Sequence, residues 1–329
     1  MLTAEMDVAD MVAVIGPSVG LSVVVKQKRL LAERIIGLTL ESSEDADLPP
    51  WEPGAHIDLI VPGGAIRQYS LYGNRRNPRQ YQIGVLLEPD GAASSFIDKD
   101  VKEGDTIRIG KPRNHFGLAQ FHRYIFIAGG IGITPFLPML EFLEEQHKQW
   151  MLYYAGRNQS SMAFFDNLSK FGNKVVFAPK AEGKRLDLKS ILGTAQSDTA
   201  VYCCGPNRMI DAVSDTCLGV WPKGAIYAER FAAVEQTAGE NQPFKIRLER
   251  SNLTLDVPAD RSAIDVMADA GVFIPCSCKE GTCGSCEVDV LEGVPDHRDS
   301  VLTEEERDSN SIMMVCISRS KTPLLVLDA

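Results

Sequence analysis

Apolar and polar positions change their rhythm twice along the chain. Up to about residue 116, short apolar runs are separated by turns that contain glycine and proline. The runs lie at 21–25, 56–61, 81–87 and 106–109. The turns are marked by Pro53-Gly54, Pro62-Gly63-Gly64 and Pro89-Asp90-Gly91. Short strands divided by turn residues predict a small antiparallel β-barrel domain over 19–116, after a flexible N-terminus at 1–18.

Residues 122–232 have longer apolar runs that alternate with helical patterns. Strand-like runs lie at 124–128, 151–155, 174–178 and 200–204. Helices are predicted at about 135–148 and near 161–170. In a third predicted helix, one face carries Met209, Ile210, Val213 and Cys217. Near-continuous apolar strands alternating with helices indicate an α/β domain with a parallel sheet.

The last part of the chain begins after a polar stretch, 233–243, which we interpret as a linker. Residues 244–248 and 253–257 predict a β-hairpin that turns at Ser251-Asn252. A short helix is predicted to follow, with Ser262 as its N-cap. We therefore expect a third domain, of the α+β class, over 244–329.

Composition and charge exclude several classes of protein. A chain of 329 residues with 44% hydrophobic and 24% charged side chains is ordinary globular material for two or three domains. No window approaches the roughly 18–20 apolar residues of a membrane span. The N-terminus lacks the basic region of a secretory signal, so we expect a cytoplasmic protein. A net charge of −10 argues against nucleic-acid binding.

The acidity is concentrated in the third domain. Residues 244–329 contain nine Lys/Arg and sixteen Asp/Glu, a net charge of −7, whereas 122–232 has a net charge of +2. An acidic surface serves either solubility or docking to a basic partner, and the sequence leaves both interpretations open.

Cysteines are the most unusual feature of the chain. Five of the eight lie in the last fifty-four residues, a distribution unlike that of a disulfide scaffold. Four residues separate Cys278 from Cys283, two separate Cys283 from Cys286, and Cys316 follows at a distance. This is the spacing of a plant-type [2Fe–2S] site. Cys276 does not fit the spacing and is predicted to be a free thiol beside the cluster.

The spacing has a geometric reason. A tight loop can deliver three thiolates to one side of a cluster, and Gly281 and Gly284 let that loop wrap closely and turn its N–H groups toward the sulfurs. The fourth thiolate must come from another element. The alternatives are structural zinc and buried free cysteines, but zinc sites usually pair two short Cys-x-x-Cys hooks and this sequence has one.

Two glycine-containing loops predict a nucleotide cleft. Gly129-Gly130-Ile131-Gly132-Ile133-Thr134-Pro135 follows a buried strand and opens a helix, where a pyrophosphate can approach the backbone and the helix N-terminus. Alone, it is also compatible with a plain tight turn. Cys204-Gly205-Pro206 follows a later strand, and two such loops fit a cleft at the carboxyl ends of parallel strands. Arg157, after the second strand, either contacts a 2′-phosphate or is an ordinary solvated arginine; we favour NADH over NADPH.

The barrel contains Arg67-Gln68-Tyr69-Ser70 at the start of a strand. Arg67 can bind a phosphate, Tyr69 can pack on a planar ring, and the Ser70 hydroxyl can bond the edge of that ring. The alternative is a cross-strand Arg/Tyr pair without a ligand.

Residues 20–329 resemble the phthalate dioxygenase reductase family, to which the vanillate O-demethylase reductases are close. The segments that carry the resemblance are Arg67-Gln68-Tyr69-Ser70, Lys111-Pro112-Arg113-Asn114, 129–135, Cys204-Gly205-Pro206, Glu229-Arg230-Phe231, the cysteine set and 297–303. The resemblance implies FMN, NADH and one [2Fe–2S] cluster, whose ligands would be Cys278, Cys283, Cys286 and Cys316. FMN is expected rather than FAD because the ferredoxin is C-terminal and the Pro-Arg-Asn segment is similar to the FMN branch.

The resemblance also implies residue roles. Thr134 and Cys204 would lie near the nicotinamide and Phe231 near the flavin face, as the catalytic residues. Ser95 best matches the family's phosphate-loop serine, although alanines stand after Gly91 where the family has glycines. The residues expected to bind flavin or nucleotide are Arg67, Tyr69, Ser70, Ser95, Gly129, Gly130, Gly132, Thr134, Pro135, Arg157, Cys204, Gly205 and Pro206.

The function implied is electron transfer from NADH through FMN and the cluster to an oxygenase, of the Rieske type. A flavin is required because nicotinamide gives two electrons as hydride whereas the cluster accepts one. The alternatives are an FAD-containing reductase that serves another acceptor, such as a di-iron oxygenase, and a zinc-stapled or redox-sensing interaction module. A monomer is expected.

Overall fold

The computed structural model describes residues 19–44, 46–61, 66–89, 91–222, 224–232 and 241–329. Two compact units contain them, one spanning Gly20–Phe231 and the other containing Ala232–Ala329. The predicted flexible N-terminus, the Pro62-Gly63-Gly64 turn and the linker positions 233–240 lie outside the described residues. Over the part of the chain that is described, no helix combines the length and apolarity needed to cross a membrane.

The first unit begins with a closed antiparallel barrel, as the sequence predicts. Its strands are β1 (Val19–Ala32), β2 (Ile35–Ser42), β3 (His56–Ile60), β4 (Ile66–Tyr72), β5 (Gln80–Leu86) and β6 (Thr106–Gly110). They are ordered β1-β2-β5-β4-β3-β6 around a core of aliphatic side chains. Strand β2 was missed, because only its pairing with β1 and β5 shows that residues 35–42 belong to the barrel.

Helix α1 (Ala92–Lys99) lies between β5 and β6. The Lys28 side chain, from β1, donates to the carbonyl oxygens of Ile97, Asp98 and Val101 at 2.7–2.9 Å. These carbonyls lie at the C-terminal end of the helix, where backbone acceptors lack partners within the helix. Lys28 therefore anchors α1 on the barrel wall.

A buried ion pair closes one side of the barrel. Arg113 donates from both terminal nitrogens to the Asp58 carboxylate, at 2.7 and 2.8 Å, and Gln68 donates to the same carboxylate at 2.7 Å. Arg113 belongs to the Lys111-Pro112-Arg113-Asn114 segment, so this arginine binds β3 and fixes the segment after β6.

The same unit continues with a five-stranded parallel sheet, which confirms the predicted α/β domain. Its strands are β7 (Arg123–Gly129), β8 (Gln149–Gly156), β9 (Val175–Pro179), β10 (Thr199–Cys204) and β11 (Ile226–Glu229). Its helices are α2 (Phe136–Glu145), α3 (Phe165–Ser169), α4 (Leu188–Leu192) and α5 (Asn207–Cys217). The strand order is β11-β10-β7-β8-β9, and one hydrophobic cluster covers each face.

Of the helical predictions in this domain, one needs correction and another is confirmed. The helix expected near 161–170 is only Phe165–Ser169, because Phe164 has a left-handed backbone (φ 62°) and residues 159–161 form a separate 3₁₀ turn. In α5, Ile210, Val213 and Cys217 are buried in one cluster, and the half-buried Met209 packs against it, so the four residues share one face as predicted.

The second unit is a ferredoxin-like β-grasp module. Its strands are β12 (Phe244–Leu248), β13 (Leu253–Val257), β14 (Glu287–Glu292), β15 (Pro295–Asp296), β16 (Ile312–Met314), β17 (Arg319–Ser320) and β18 (Leu324–Leu327). Its helices are α6 (Ala263–Asp269), N-capped by Ser262 as predicted, and α7 (Glu304–Ser309). The main sheet is ordered β13-β12-β18-β14-β16, with β18 parallel to β12 in its centre.

Candidate functional site

The two glycine loops meet where the order of the parallel strands reverses. Strand β7 lies between β8 and β10. The chain adds β8 and β9 on one side of β7 and then β10 and β11 on the other side. The loops that follow β7 and β10 therefore diverge, and a crevice opens between them at the carboxyl ends of the strands. A Cβ on Gly132 would lie 2.3 Å from the Cys204 carbonyl oxygen, and one on Gly129 would lie 2.7 Å from Pro206 Cδ. These glycines let the loops touch. Gly130 has φ 56° and open space where its Cβ would be.

Thr134 joins this crevice to the barrel. Its hydroxyl donates to the Ile131 carbonyl at 2.9 Å, and its side chain is buried. Its methyl carbon lies 3.0 Å from the point where a Cβ on Gly84, in β5, would stand. The absence of a side chain at Gly84 therefore lets the nucleotide loop pack directly on the barrel.

Cys204 ends β10 as a fully buried thiol. Burial, and secondarily the neighbouring Glu229, raise the pKa of Cys204 well above its usual range. The residue is therefore a neutral thiol at neutral pH and not a nucleophilic thiolate.

Glu229 is a residue that the sequence reasoning did not select, although it begins the quoted Glu229-Arg230-Phe231 segment. It pairs with Cys204 across β10 and β11, and its Oε2 is buried with no hydrogen-bond partner among the described residues. Burial raises its pKa to about 8. Glu229 ends the edge strand β11, and the quoted Glu229-Arg230-Phe231 segment was the available signal.

Of the other quoted residues near this edge, Phe231 and Arg157 are exposed, whereas the Arg230 side chain is largely buried. Arg230 donates to Asp211 at 2.6 Å and so ties the end of β11 to α5, and Phe231 beside it is 44% exposed. Arg157 is exposed just beyond the end of β8, and its carbonyl accepts from the Ala181 N–H at 2.8 Å.

The predicted flavin residues of β4 lie together on the barrel. Arg67 is exposed, Tyr69 is half-buried, and Ser70 is buried with a hydroxyl that has no partner among the described residues. Burial raises the pKa of Tyr69 to about 12, against the opposing charge of Arg67 nearby. An orphaned buried hydroxyl beside an aromatic ring and a guanidinium fits the edge, face and phosphate of a flavin.

The loop with alanines in place of glycines forms the start of α1. Gly91 is its N-cap and supplies no side-chain cap, and the first turn carries no acid. The Ser94 hydroxyl is already used, since it donates to the Gly91 carbonyl at 3.0 Å and accepts from the Glu88 N–H at 3.2 Å. Ser95 is half-buried on the same turn. The segment that the resemblance assigns to the flavin phosphate is thus the N-terminus of a helix rather than a glycine-rich loop.

In the second unit, the four predicted ligands Cys278, Cys283, Cys286 and Cys316 are all buried. The N–H groups of Glu280 and Thr282 donate to Cys278 Sγ at 3.3 and 3.4 Å. Gly281 makes this turn possible: its φ is 69°, and a Cβ there would lie 2.6 Å from Ile317 Cγ2.

The thiols are also close to one another. Hydrogen bonds from Cys283, and then from Cys316, hold the pKa of Cys278 far below its usual range. The sulfurs of Cys276, Cys286 and Cys316 lie within 4.8 Å of one another. These thiols are buried and hydrogen-bond to one another, and Cys278 also accepts two backbone N–H bonds. An iron–sulfur cluster requires thiolate ligands and N–H donors, so the arrangement fits such a cluster.

Comparison with known proteins agrees with this geometry. Residues 246–321 match the 2Fe-2S iron-sulfur cluster binding domain family, and residues 126–215 match the oxidoreductase NAD-binding domain family. Phthalate dioxygenase reductase from Burkholderia cepacia is 39% identical over 312 residues, which cover 92% of this chain and 96% of that protein. Vanillate O-demethylase oxidoreductase from Pseudomonas sp. (strain HR199 / DSM 7063) is 35% identical over 94% of this chain and 99% of that protein.

A solved structure supports the same assignment over the full length. It is that of phthalate dioxygenase reductase, a modular protein for electron transfer from pyridine nucleotides to a [2Fe–2S] cluster. It is 37% identical, covers 94% of this chain and 98% of the solved chain, and has a TM-score of 0.68. The chain therefore belongs to the phthalate dioxygenase reductase family of flavin- and iron–sulfur-dependent electron-transfer oxidoreductases.

Proposed function

We propose that this protein is the NADH-dependent reductase component of a Rieske-type oxygenase that acts in aromatic-ring oxidation or demethylation. Its cofactors are FMN, NADH and a [2Fe–2S] cluster. The observation that carries the proposal is the presence on one chain of a barrel with a buried, unpartnered Ser70 hydroxyl, a crevice between two glycine loops and a convergent cysteine set. The relatives are reductases of oxygenase systems, which implies an oxygenase as the partner.

In the barrel, the chain binds and orients the flavin. Arg67 would pair with its phosphate, Tyr69 would cover the ring, and the Ser70 hydroxyl would bond the ring edge. Ser95 and the free N–H groups at the start of α1 would provide further phosphate contacts. When bound, the flavin accepts two electrons from nicotinamide and passes them on singly.

In the crevice, the chain positions the nucleotide and excludes water. The open backbone at Gly130 and the start of α2 after Pro135 would face the pyrophosphate, and Arg157 would lie by the adenosine ribose. Thr134 and Cys204, both buried, would line the nicotinamide pocket, with Phe231 at the flavin face. Hydride transfer needs no acid–base pair, so a buried, neutral wall is sufficient.

In the second unit, Cys278, Cys283, Cys286 and Cys316 would hold the cluster, and the N–H groups of the loop would stabilise the negative charge of the sulfurs. The proposed domains are 19–116 for flavin, 122–232 for nucleotide and 244–329 for the cluster. We place the protein in the cytoplasm, because thiols such as these stay reduced there and NADH is available.

The test separates the two halves of the electron path. Cys283→Ser should abolish reduction of a one-electron ferredoxin-type acceptor, while NADH-driven reduction of a two-electron dye is largely kept. Cys217→Ser changes a buried cysteine of the nucleotide domain and should keep both activities. Loss of dye reduction in a folded, flavin-loaded Cys283→Ser protein would contradict the modular scheme.

Two further measurements test the finer assignments. The flavin released from the purified protein should have the mass of FMN, and FAD would make the cofactor assignment wrong. NADH and the reductase should reduce a purified Rieske oxygenase, which is followed by bleaching of its visible absorption. Reduction of a di-iron oxygenase but of no Rieske protein would favour the alternative partner.

A further inference from the structure

The cluster loop carries one thiol more than a [2Fe–2S] cluster needs. Cys276 is half-buried, and its sulfur lies within 4.8 Å of those of Cys286 and Cys316. This group of three contains neither Cys278 nor Cys283. The fifth thiol therefore stands beside one particular pair of the four predicted ligands.

Backbone hydrogen bonds explain why these three cysteines converge. The Ser277 N–H donates to the Ser285 hydroxyl at 2.9 Å, which holds the segment next to Cys276 against the turn that carries Cys286. The Val315 N–H donates to the Cys286 carbonyl at 3.2 Å and so brings the neighbour of Cys316 to the same place. These two bonds bring together the segments that carry Cys276, Cys286 and Cys316.

A cysteine with no role at the cluster would not require a sulfur placed beside those of Cys286 and Cys316. Residues 272–276 form neither helix nor strand, so a small backbone adjustment can carry the Cys276 sulfur toward an ion held by its neighbours. Where three thiols can all reach one ion, any two of the three can serve as its ligands.

We propose that Cys276 is an exchange ligand of the cluster, able to take the place of Cys286 or Cys316 as a ligand. The proposal rests on the ligand set given above. In the exchange, the Cys276 S–H bond breaks and a sulfur–iron bond forms, while the departing sulfur leaves iron and takes up the proton. No electron is gained or lost. The cluster would then survive the transient loss of Cys286 or Cys316 as a ligand, but not the loss of Cys278 or Cys283.

The direct test compares single and double alanine variants of the whole protein. Cys286→Ala should retain iron and acid-labile sulfide close to the wild-type content, with a shifted electron paramagnetic resonance spectrum after reduction. Cys276→Ala/Cys286→Ala should lose the cluster. Cys283→Ala is the matched control, and it should lose the cluster whether or not Cys276 is present, because Cys276 is not grouped with it.

A second test keeps all four ligands and so does not depend on a variant that lacks one. In Cys276→Ala, iron release to a ferrous chelator should be about tenfold faster than in the wild type, the scale on which groups around a metal alter its retention. Cys217→Ala, a buried cysteine of the other unit, should leave the rate unchanged. An unchanged rate in Cys276→Ala would overturn the proposal.

The outcomes also distinguish this proposal from the ligand set. If Cys286→Ala and the double variant both keep a cluster with the wild-type spectrum, Cys286 is not a ligand and the ligand set is wrong. If Cys286→Ala loses the cluster as Cys283→Ala does, the ligand set stands and exchange is refuted. If Cys276→Ala alone loses it, Cys276 is a permanent ligand, which also refutes exchange.

Discussion

Glu229 gives the sharpest test of the electrostatics around the nucleotide crevice. Its buried carboxyl has a pKa of about 8, against an ordinary value of 4.5, because burial penalises the charged form. At 1.36 kcal/mol for each pKa unit, ionising it in the folded protein costs about 5 kcal/mol more than in the unfolded chain. The residue as a whole is half-buried, and its Oε2 atom is buried with no hydrogen-bond partner among the described residues.

The sign of the pH dependence follows from proton binding. Between pH 4.5 and about 8 the unfolded chain has released this proton and the folded protein has kept it. The folded state therefore binds more protons, and its stability falls as pH rises through this window and levels off above it. Glutamine at this position cannot titrate, so the stability of a Glu229→Gln protein does not fall with rising pH for this reason.

We expect the stability gained by Glu229→Gln, relative to wild type, to increase by about 3–4 kcal/mol from pH 5 to pH 8. Urea unfolding at both pH values, followed by tryptophan fluorescence, measures this difference. Glu182→Gln, which changes an exposed glutamate of the same unit, is the control and should show no such increase. An equal effect of Glu229→Gln at pH 5 and pH 8 would refute a protonated Glu229.

Three further substitutions test the remaining parts of the site. Gly132→Ala should slow flavin reduction by NADH with unchanged iron content, since its Cβ would lie 2.3 Å from the Cys204 carbonyl oxygen; stopped-flow absorbance measures the rate. Asp58→Asn should destabilise the first unit by about 3 kcal/mol, because Arg113 loses its charged partner; an unchanged urea midpoint would show that the pair contributes nothing. Arg67→Ala should raise the dissociation constant for FMN, measured by quenching of flavin fluorescence, without changing the visible circular dichroism of the cluster.

Local patterns predicted the parts of the site that local chemistry builds. Cys278, Cys283 and Cys286 lie within nine residues, so their spacing alone reports the turn that presents them. Apolar runs alternating with helical periods likewise predicted the parallel sheet. Each strand of such a sheet is buried on both faces, so its sequence is almost continuously apolar. The hairpin at Ser251-Asn252 and the Ser262 N-cap were also predicted, because a turn and a helix cap each depend on residues that are adjacent in the sequence.

Long-range pairing supplied what the patterns did not show. Strand β2 was identified only through its partners β1 and β5, and Glu229 gained importance only by lying opposite Cys204 in β10. Helix α3 is shorter than predicted because the left-handed Phe164 precedes it, and neither periodicity nor composition reports a single backbone angle.

The sequence by itself determined the order of the domains, the type of cluster and the kinds of cofactor, since each depends on residues that are close in the chain. Only the tertiary structure decided that Thr134 packs on the barrel at Gly84 and that a carboxyl is buried beside Cys204. These are contacts between segments far apart in sequence, which form because packing and backbone hydrogen bonds bring together side chains that no local spacing relates.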